Sequence, residues 1–169
     1  MIRPLLHFLT DPGPTARAAP PLKWGVAALL LLGRWWLAWP FITAGWHRLF
    51  TWDSQAFLFT DIHPVPLLPA AVAAPLTTGA EIALGLSLLL GLGGRVGAAG
   101  LAVMAAVLFL VIGRTPQGME SGIAIAEEQI PWIMAGTALF LSGPGSMSLD
   151  AALRGFWRRR FPAIPQTMR

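Results

Sequence analysis

The chain contains no cysteine and no tyrosine, and only 12% of its 169 residues are charged. Without cysteine it cannot form disulfides, thiolate–metal bonds or cysteine-bound iron–sulfur clusters, so any redox role requires a bound cofactor or a partner protein. Soluble proteins carry charge at about a quarter of their positions. With 55% hydrophobic residues and a mean hydropathy of +0.62, the composition excludes an ordinary soluble domain and indicates an integral membrane protein.

The sequence contains four apolar segments. Each is long enough to cross the hydrocarbon core of a membrane, which is about 30 Å thick. The fourth is less regular, because Glu127, Glu128 and Pro131 lie near its start. Charged side chains and irregular backbone are tolerated at membrane depth only where they face protein or a polar cavity. The sequence therefore predicts an all-α, four-helix transmembrane bundle with helices over residues 24–46, 67–92, 96–112 and 123–141.

Lysine and arginine are distributed unevenly around these segments. Nine lie in the tails and the turn at 92–95, whereas Arg48 and Arg114 lie in the other loops. The positive-inside rule then places both termini in the cytoplasm of a bacterial cell, with the chain in the inner membrane. We predict a cytoplasmic tail over 1–22, a membrane domain over 23–153 and a basic cytoplasmic tail over 154–169. The basic run at 157–160 is interpreted as a topology signal, with an anionic-lipid site as the alternative.

Two charged residues interrupt the apolar segments. Arg34 lies about ten residues into the first segment and Glu81 about eleven residues from the cytoplasmic end of the second, so both are expected about 15 Å deep at about 1.5 Å per residue. An unpaired charge at that depth is costly, whereas an arginine–carboxylate pair is tolerated. We therefore predict a buried ion pair between Arg34 and Glu81. It serves either as an oriented, ligand-binding carboxylate or as a packing device that sets helix register.

Aromatic and polar residues near this predicted pair are candidates for ligand binding. Trp35 and Trp39 lie one turn apart and offer flat faces on which a planar ring such as a quinone could stack. Thr77 and Thr78 give the second helix a narrow polar face one turn before Glu81. The alternative for the tryptophans is bulky packing against small residues of the third helix. A quinone is the one cofactor that this pattern suggests, and the pattern assigns no catalytic residue.

The loops on the predicted outer side gather acidic residues. They form an expected outer-face cluster of Asp53, Glu120, Glu127 and Glu128, with Arg114 as the counter-ion. His47 and His63 lie on the same side, but they show no metal-ligand spacing, and carboxylates without cysteine or paired histidine make a poor copper site. We therefore predict no metal site in this chain.

Several short motifs resemble those of the DoxX family over residues 35–153. They are Gly45, then Glu81, Gly85, Gly91 and Arg95, and finally Gly143-Pro144-Gly145 and Ser148-Leu149-Asp150. The first loop, with Trp52-Asp53-Ser54, Phe57-Leu58-Phe59 and Val65-Pro66-Leu67-Leu68-Pro69, is similar to the HvfX subgroup encoded beside copper-binding modified peptides. The positions that carry over to this chain are Arg34, Gly45, Asp53, Glu81, Arg95 and Asp150, with no catalytic role implied for any of them.

The resemblance implies a membrane protein linked to thiosulfate:quinone oxidoreductases, oxidative-stress complexes or metal-stress operons. The expected function is that of an accessory subunit in a redox or metal-stress pathway. A quinone-reactive oxidoreductase subunit and a small proton-coupled transporter are the alternatives. The expected partners are membrane lipid, another protein and a second copy of the chain. Nucleic acid is not expected, because the basic residues follow the membrane segments.

Overall fold

The computed structural model is all-helical, with no β-strand among the residues that it describes. These are residues 8–9, 11, 13–14, 19, 21–62, 65, 67–110, 112–114, 116–120 and 126–160. The longer helices within these ranges are α1 (Leu22–Phe50), α2 (Ala70–Leu90), α3 (Gly94–Leu110), α4 (Ala126–Ser142) and α5 (Leu149–Arg160). Short helical turns follow α1 at Trp52–Ser54, Gln55–Phe57 and Leu58–Ile62, and follow α3 at Ile112–Arg114 and Pro116–Glu120.

Proline and glycine set several of the helix ends. α1 begins after Pro21 and α2 after Pro69, where a residue without an N–H and with a preset φ suits a helix start. α2 ends at Gly91, whose φ of +67° lies in the left-handed region that glycine adopts without strain. Because this turn is so tight, α3 begins at Gly94 and packs directly against α2.

Three stretches of the described chain are long and apolar enough to cross a membrane: Leu22–Phe50, Ala70–Leu90 and Gly94–Arg114. They coincide with the first three predicted segments to within a few residues at each end. α4 has 17 residues, and its apolar part, Gln129–Ser142, is shorter than the other three stretches. The all-helical prediction is therefore confirmed, whereas a fourth membrane crossing stays a prediction.

The four longest helices pack in the order of the chain, α1 against α2, α2 against α3 and α3 against α4. Small residues let α3 and α4 approach closely: a Cβ added at Gly136 would lie 2.8 Å from the Cβ of Ala102. The main buried cluster joins all four helices and consists of Leu37, Ala38, Phe41, Leu88, Ala98, Leu101, Ala105 and Leu139.

Close contacts at two glycines set the register between α1 and α2. A Cβ at Gly45 would lie 2.8 Å from Ile82 Cγ1, and a Cβ at Gly85 would lie 2.6 Å from Ile42 Cγ1. This register places Arg34 level with Gly91, where an added Cβ would collide with the Arg34 guanidinium. The twelve residues of α1 that precede Arg34 therefore extend beyond the turn between α2 and α3.

Both predicted tails contain ordered contacts at the described positions. The Phe8 ring packs edge to face on Phe140 with centroids 5.8 Å apart. Asp11 Oδ1 accepts a hydrogen bond from Arg154 Nη1 at 3.4 Å. The boundary predicted between residues 153 and 154 falls inside α5, so the basic C-terminal segment begins within a helix.

Candidate functional site

The end of the helix bundle where α2 turns into α3 is closed by a polar network. Asp150 accepts hydrogen bonds from the backbone N–H groups of Gly93 at 3.0 Å and Gly94 at 3.2 Å, which caps the start of α3. Ser148 Oγ accepts from the N–H of Ala151 at 3.2 Å and so caps α5. We call this region, formed by Arg34, Gly91, Arg95, Ser148 and Asp150, the closed end.

Two arginines are buried at the closed end and donate mainly to backbone carbonyls. Arg34 has no exposed surface and donates to the carbonyl oxygen of Met147. Arg95 donates to the carbonyl oxygens of Phe140 and, at 3.0 Å, Leu141. Its guanidinium also lies 4.4 Å from the Phe8 ring centroid. These contacts tie the end of α4, the N-terminal segment and α3 together.

The predicted ion pair between Arg34 and Glu81 is wrong. Glu81 is bonded instead to Arg48, whose Nη1 donates to Glu81 Oε1 at 2.8 Å. The error arose because the depth of each charge was counted from the predicted cytoplasmic end of its own segment. The register set by Gly45 and Gly85 moves Arg34 to the closed end and brings Arg48, near the end of α1, opposite Glu81.

The Arg48–Glu81 pair borders a cavity of about 150 Å³. The side chain of Arg48 is 16% exposed and that of Glu81 is 5% exposed, so the carboxylate is the deeper partner. Thr77 extends the polar wall, and the opposite walls are apolar. The apolar side chains come from the first loop and from the second half of α3 and the turn after it: Phe59, Val65, Val103, Met104, Val107, Leu108 and Ile112.

Two polar atoms near this cavity have no hydrogen-bond partner among the described residues. They are Glu81 Oε2 and Thr78 Oγ1, each on a buried side chain. Buried polar atoms are nearly always hydrogen-bonded, so an unpartnered carboxylate oxygen beside a cavity is a place where a ligand or water donates. We call Arg48, Glu81 and the cavity beside them the cavity site.

The predicted ligand residues fall in different places. Thr77 lines the cavity, and Thr78 lies in the interface where α2 meets Gly45 of α1. Trp35 and Trp39 are 52% and 53% exposed, and their ring centroids lie 5.8 Å apart on the outer surface of α1. Neither tryptophan lines the cavity or packs into the bundle core.

The described members of the predicted outer acidic cluster are spread over separate short helical turns. Asp53, Arg114 and Glu120 are exposed, and the Arg114 guanidinium lies 6.0 Å from the Phe109 ring centroid. The side chains of Glu127 and Glu128, which belong to α4, and the whole of His63 lie outside the described residues. Within the described part of the chain, no three histidines or carboxylates come together as metal ligands would.

Sequence reasoning missed Arg48 and Phe59 as site residues, because Arg48 was assigned to an outer loop. α1 in fact continues to Phe50, which leaves Arg48 on the same helix as Gly45 and facing α2. The Arg48 guanidinium lies 5.4 Å from the Phe59 ring centroid, so the first loop folds back onto the pair. The available signal was the one-turn spacing between Gly45, a close-contact residue, and the following basic residues.

The comparisons with known proteins give one match. A family model for DoxX matches residues 29–114, which contain both partners of the Arg48–Glu81 pair and all of α2 and α3. No curated protein and no solved structure matches the chain significantly. Because the matched residues make up just over half of the sequence, this multi-pass membrane protein belongs to the DoxX family.

Proposed function

We propose that the chain is a membrane-embedded subunit of a redox or metal-stress pathway whose cavity site binds the ring of a quinone or quinol. The observation that carries this proposal is a ring-sized cavity with one charged wall and otherwise apolar walls. Sites of this composition hold the apolar body of a small ligand and fix its orientation through a few polar groups.

The size of the cavity supports a single-ring ligand. An engineered apolar cavity of about 150 Å³ binds benzene, and the cavity here has a volume of about 150 Å³. Val103 and Val107 line the cavity and are also 62% and 37% exposed, which gives it an opening on the outer surface of α3. A ligand with one ring inside can therefore extend an apolar tail through this opening into lipid.

The polar wall matches the hydrogen-bonding groups of a quinone and its reduced form. Arg48 has guanidinium N–H groups beyond the one bonded to Glu81, and these can donate to a quinone carbonyl oxygen. Glu81 Oε2, which has no partner, can accept from a quinol hydroxyl. The residues of this chain thus bind and orient the ring, and the ligand supplies the redox chemistry.

The first loop links the cavity to the proposed subgroup. Phe59 and Val65 belong to the motifs that resemble HvfX, and both line the cavity. We propose that the chain is an HvfX-type DoxX protein and that this loop selects the ligand. A partner protein then delivers or withdraws electrons, since the chain has no cysteine for a thiol couple.

The proposed orientation places the cavity site toward the outer side of a bacterial inner membrane, with four crossings and both termini in the cytoplasm. The distribution of lysine and arginine supports this orientation. The packing of α4 against α3 supports a fourth crossing. Single cysteines placed at Ser54 and Gly155 of this cysteine-free chain test the topology. A membrane-impermeant maleimide should label Ser54→Cys in intact spheroplasts, and Gly155→Cys only after lysis.

The ligand is tested with purified protein in detergent and a short-chain ubiquinone analogue, in its oxidised and reduced forms, by titration calorimetry. Val107→Phe should fill the cavity while leaving the Arg48–Glu81 pair in place, and should weaken binding at least tenfold. Val96→Phe is the matched control, because it makes the same change on an exposed position of α3 that does not line the cavity.

Binding that is unchanged in Val107→Phe, or weakened equally by both variants, would contradict the proposed site. Glu81→Gln adds a chemical test, since it removes a charged acceptor at nearly constant volume. We expect it to weaken the quinol more than the quinone. If Glu81→Gln bound the quinone and the quinol each with the wild-type affinity, the carboxylate would not contact the ring.

A further inference from the structure

α5 has an apolar face that stays exposed in the described part of the structure. Leu149, Leu153 and Phe156 recur at spacings of four and three residues and are 42%, 45% and 61% exposed. This spacing places them on one side of the helix. The side that carries the buried Asp150 and the half-buried Arg154 instead faces the closed end and Asp11.

The exposed apolar residues of α1 support lipid contact at the level at which α5 begins. α5 starts at the closed end, beside Arg34, and α1 continues past Arg34 for twelve residues toward its own start. Leu29 and Leu32 on this extension are 69% and 61% exposed, as suits a surface in contact with acyl chains. Lys23 and Trp24 then mark an interface, with the Lys23 ammonium 5.6 Å from the Trp24 ring centroid.

The charge at the end of α5 complements an anionic lipid surface. α5 has 12 residues and is about 18 Å long at about 1.5 Å per residue. Its last three residues, Arg158, Arg159 and Arg160, follow an exposed aromatic pair, Phe156 and Trp157, whose ring centroids lie 6.3 Å apart. Aromatic residues next to arginine are typical of the headgroup region.

We propose that α5 is an interfacial helix whose Leu149–Leu153–Phe156 face enters the acyl-chain boundary and whose terminal arginines bind anionic phospholipid headgroups. Amphipathic helices with a basic end lie in the membrane interface in this way. α5 would thereby hold the closed end at a fixed depth, because Asp150 of α5 caps α3 directly.

Spin labels on single cysteines test where the apolar face lies. Leu153→Cys places a nitroxide on this face, and Gly155→Cys is the control on another face of the same helix, where an added Cβ meets nothing within 4 Å. In vesicles of phosphatidylglycerol and phosphatidylcholine, the label at 153 should be accessible to oxygen and shielded from a water-soluble nickel reagent. The label at 155 should be the more accessible to nickel.

Two outcomes of this measurement would overturn the proposal. Equal nickel accessibility at both positions would place α5 in water. A label at 153 that is shielded from both reagents would mean that protein, such as a second copy of the chain, covers the face.

Lipid selectivity is tested separately by native mass spectrometry of protein released from the same vesicles. Changing Arg158, Arg159 and Arg160 to glutamine should lower retained phosphatidylglycerol by roughly fivefold per arginine, the factor that about 1 kcal/mol per residue near an anionic surface gives. The control changes Arg3, Arg17 and Arg114 to glutamine, which removes the same net charge. Equal lipid loss in both triple variants would refute binding by the arginine run.

Discussion

The two ends of the bundle bury their charges in different ways. At the closed end, Arg34 and Arg95 donate to backbone carbonyls, and Asp150 accepts from two backbone N–H groups. At the cavity site, Arg48 meets a carboxylate, and one oxygen of that carboxylate has no partner. Arg34 Nε and Nη1 also have no partner among the described residues, so incomplete hydrogen bonding alone does not distinguish the two ends. Glu81 differs because its side chain lines a cavity, where a bound ligand can supply the missing donor.

The closed end should respond most strongly to mutation. Arg34→Met removes the donor to Met147 and the positive charge that lies near the buried Asp150. Losing a hydrogen bond from a charged group, together with the charge near a buried carboxylate, costs about 3 kcal/mol. We therefore expect a loss of this size in the free energy of unfolding, measured by denaturant titration in detergent.

Arg114→Met is the matched control for Arg34→Met, because it makes the same change at an exposed position. It should alter the free energy of unfolding by no more than about 0.5 kcal/mol. Equal stability of the two variants would show that the contacts of Arg34 at the closed end do not stabilise the fold.

Mutations at the cavity site should lower the free energy of unfolding by a smaller amount. Their effect reports directly on the ion pair between Arg48 and Glu81. Arg48→Met or Glu81→Leu alone should lower the free energy of unfolding by about 1–3 kcal/mol, because each leaves an unpaired charge. Arg48 is partly exposed, so it can recover some hydration when Glu81 is lost. The double variant should recover much of the stability, since apolar replacements of a buried pair are often tolerated.

A double-mutant cycle separates the observed pair from the one predicted by sequence. Arg48 and Glu81 should show a coupling energy of about 0.5–3 kcal/mol, whereas Arg34 and Glu81 should be additive to within about 0.5 kcal/mol. Coupling of Glu81 to Arg34 and not to Arg48 would reverse the assignment of the two ends.

The sequence predicted the helices better than it predicted the contacts between them. Long apolar runs defined α1, α2 and α3 to within a few residues, because membrane thickness sets helix length. The pairing of Glu81 was missed because helix register depends on close contacts at Gly45 and Gly85, which hydropathy does not reveal. The helical form of α5 was missed because its arginines were interpreted as a tail.

The residues of the cavity were only partly predictable for a related reason. Glu81 and Thr77 were identified because polar residues inside an apolar segment are conspicuous. Phe59 and the α3 side chains are apolar residues in an apolar protein, and only the tertiary fold shows that they surround a cavity. The tryptophans attracted attention by their size, although their position on the outer surface is what a lipid-facing helix requires.

Mutation of these tryptophans should have the smallest effect on stability and on ligand affinity. The measurement tests whether the ligand ring binds in the cavity site or on the outer surface of α1. Trp35 and Trp39 are about half exposed and do not line the cavity. The double change Trp35→Leu with Trp39→Leu keeps an apolar surface toward lipid. The free energy of unfolding should therefore change by no more than about 0.5 kcal/mol, and the calorimetric affinity for the ubiquinone analogue should stay within twofold of wild type. Loss of binding in this variant, together with normal binding in Val107→Phe, would move the ligand from the cavity to the outer face of α1.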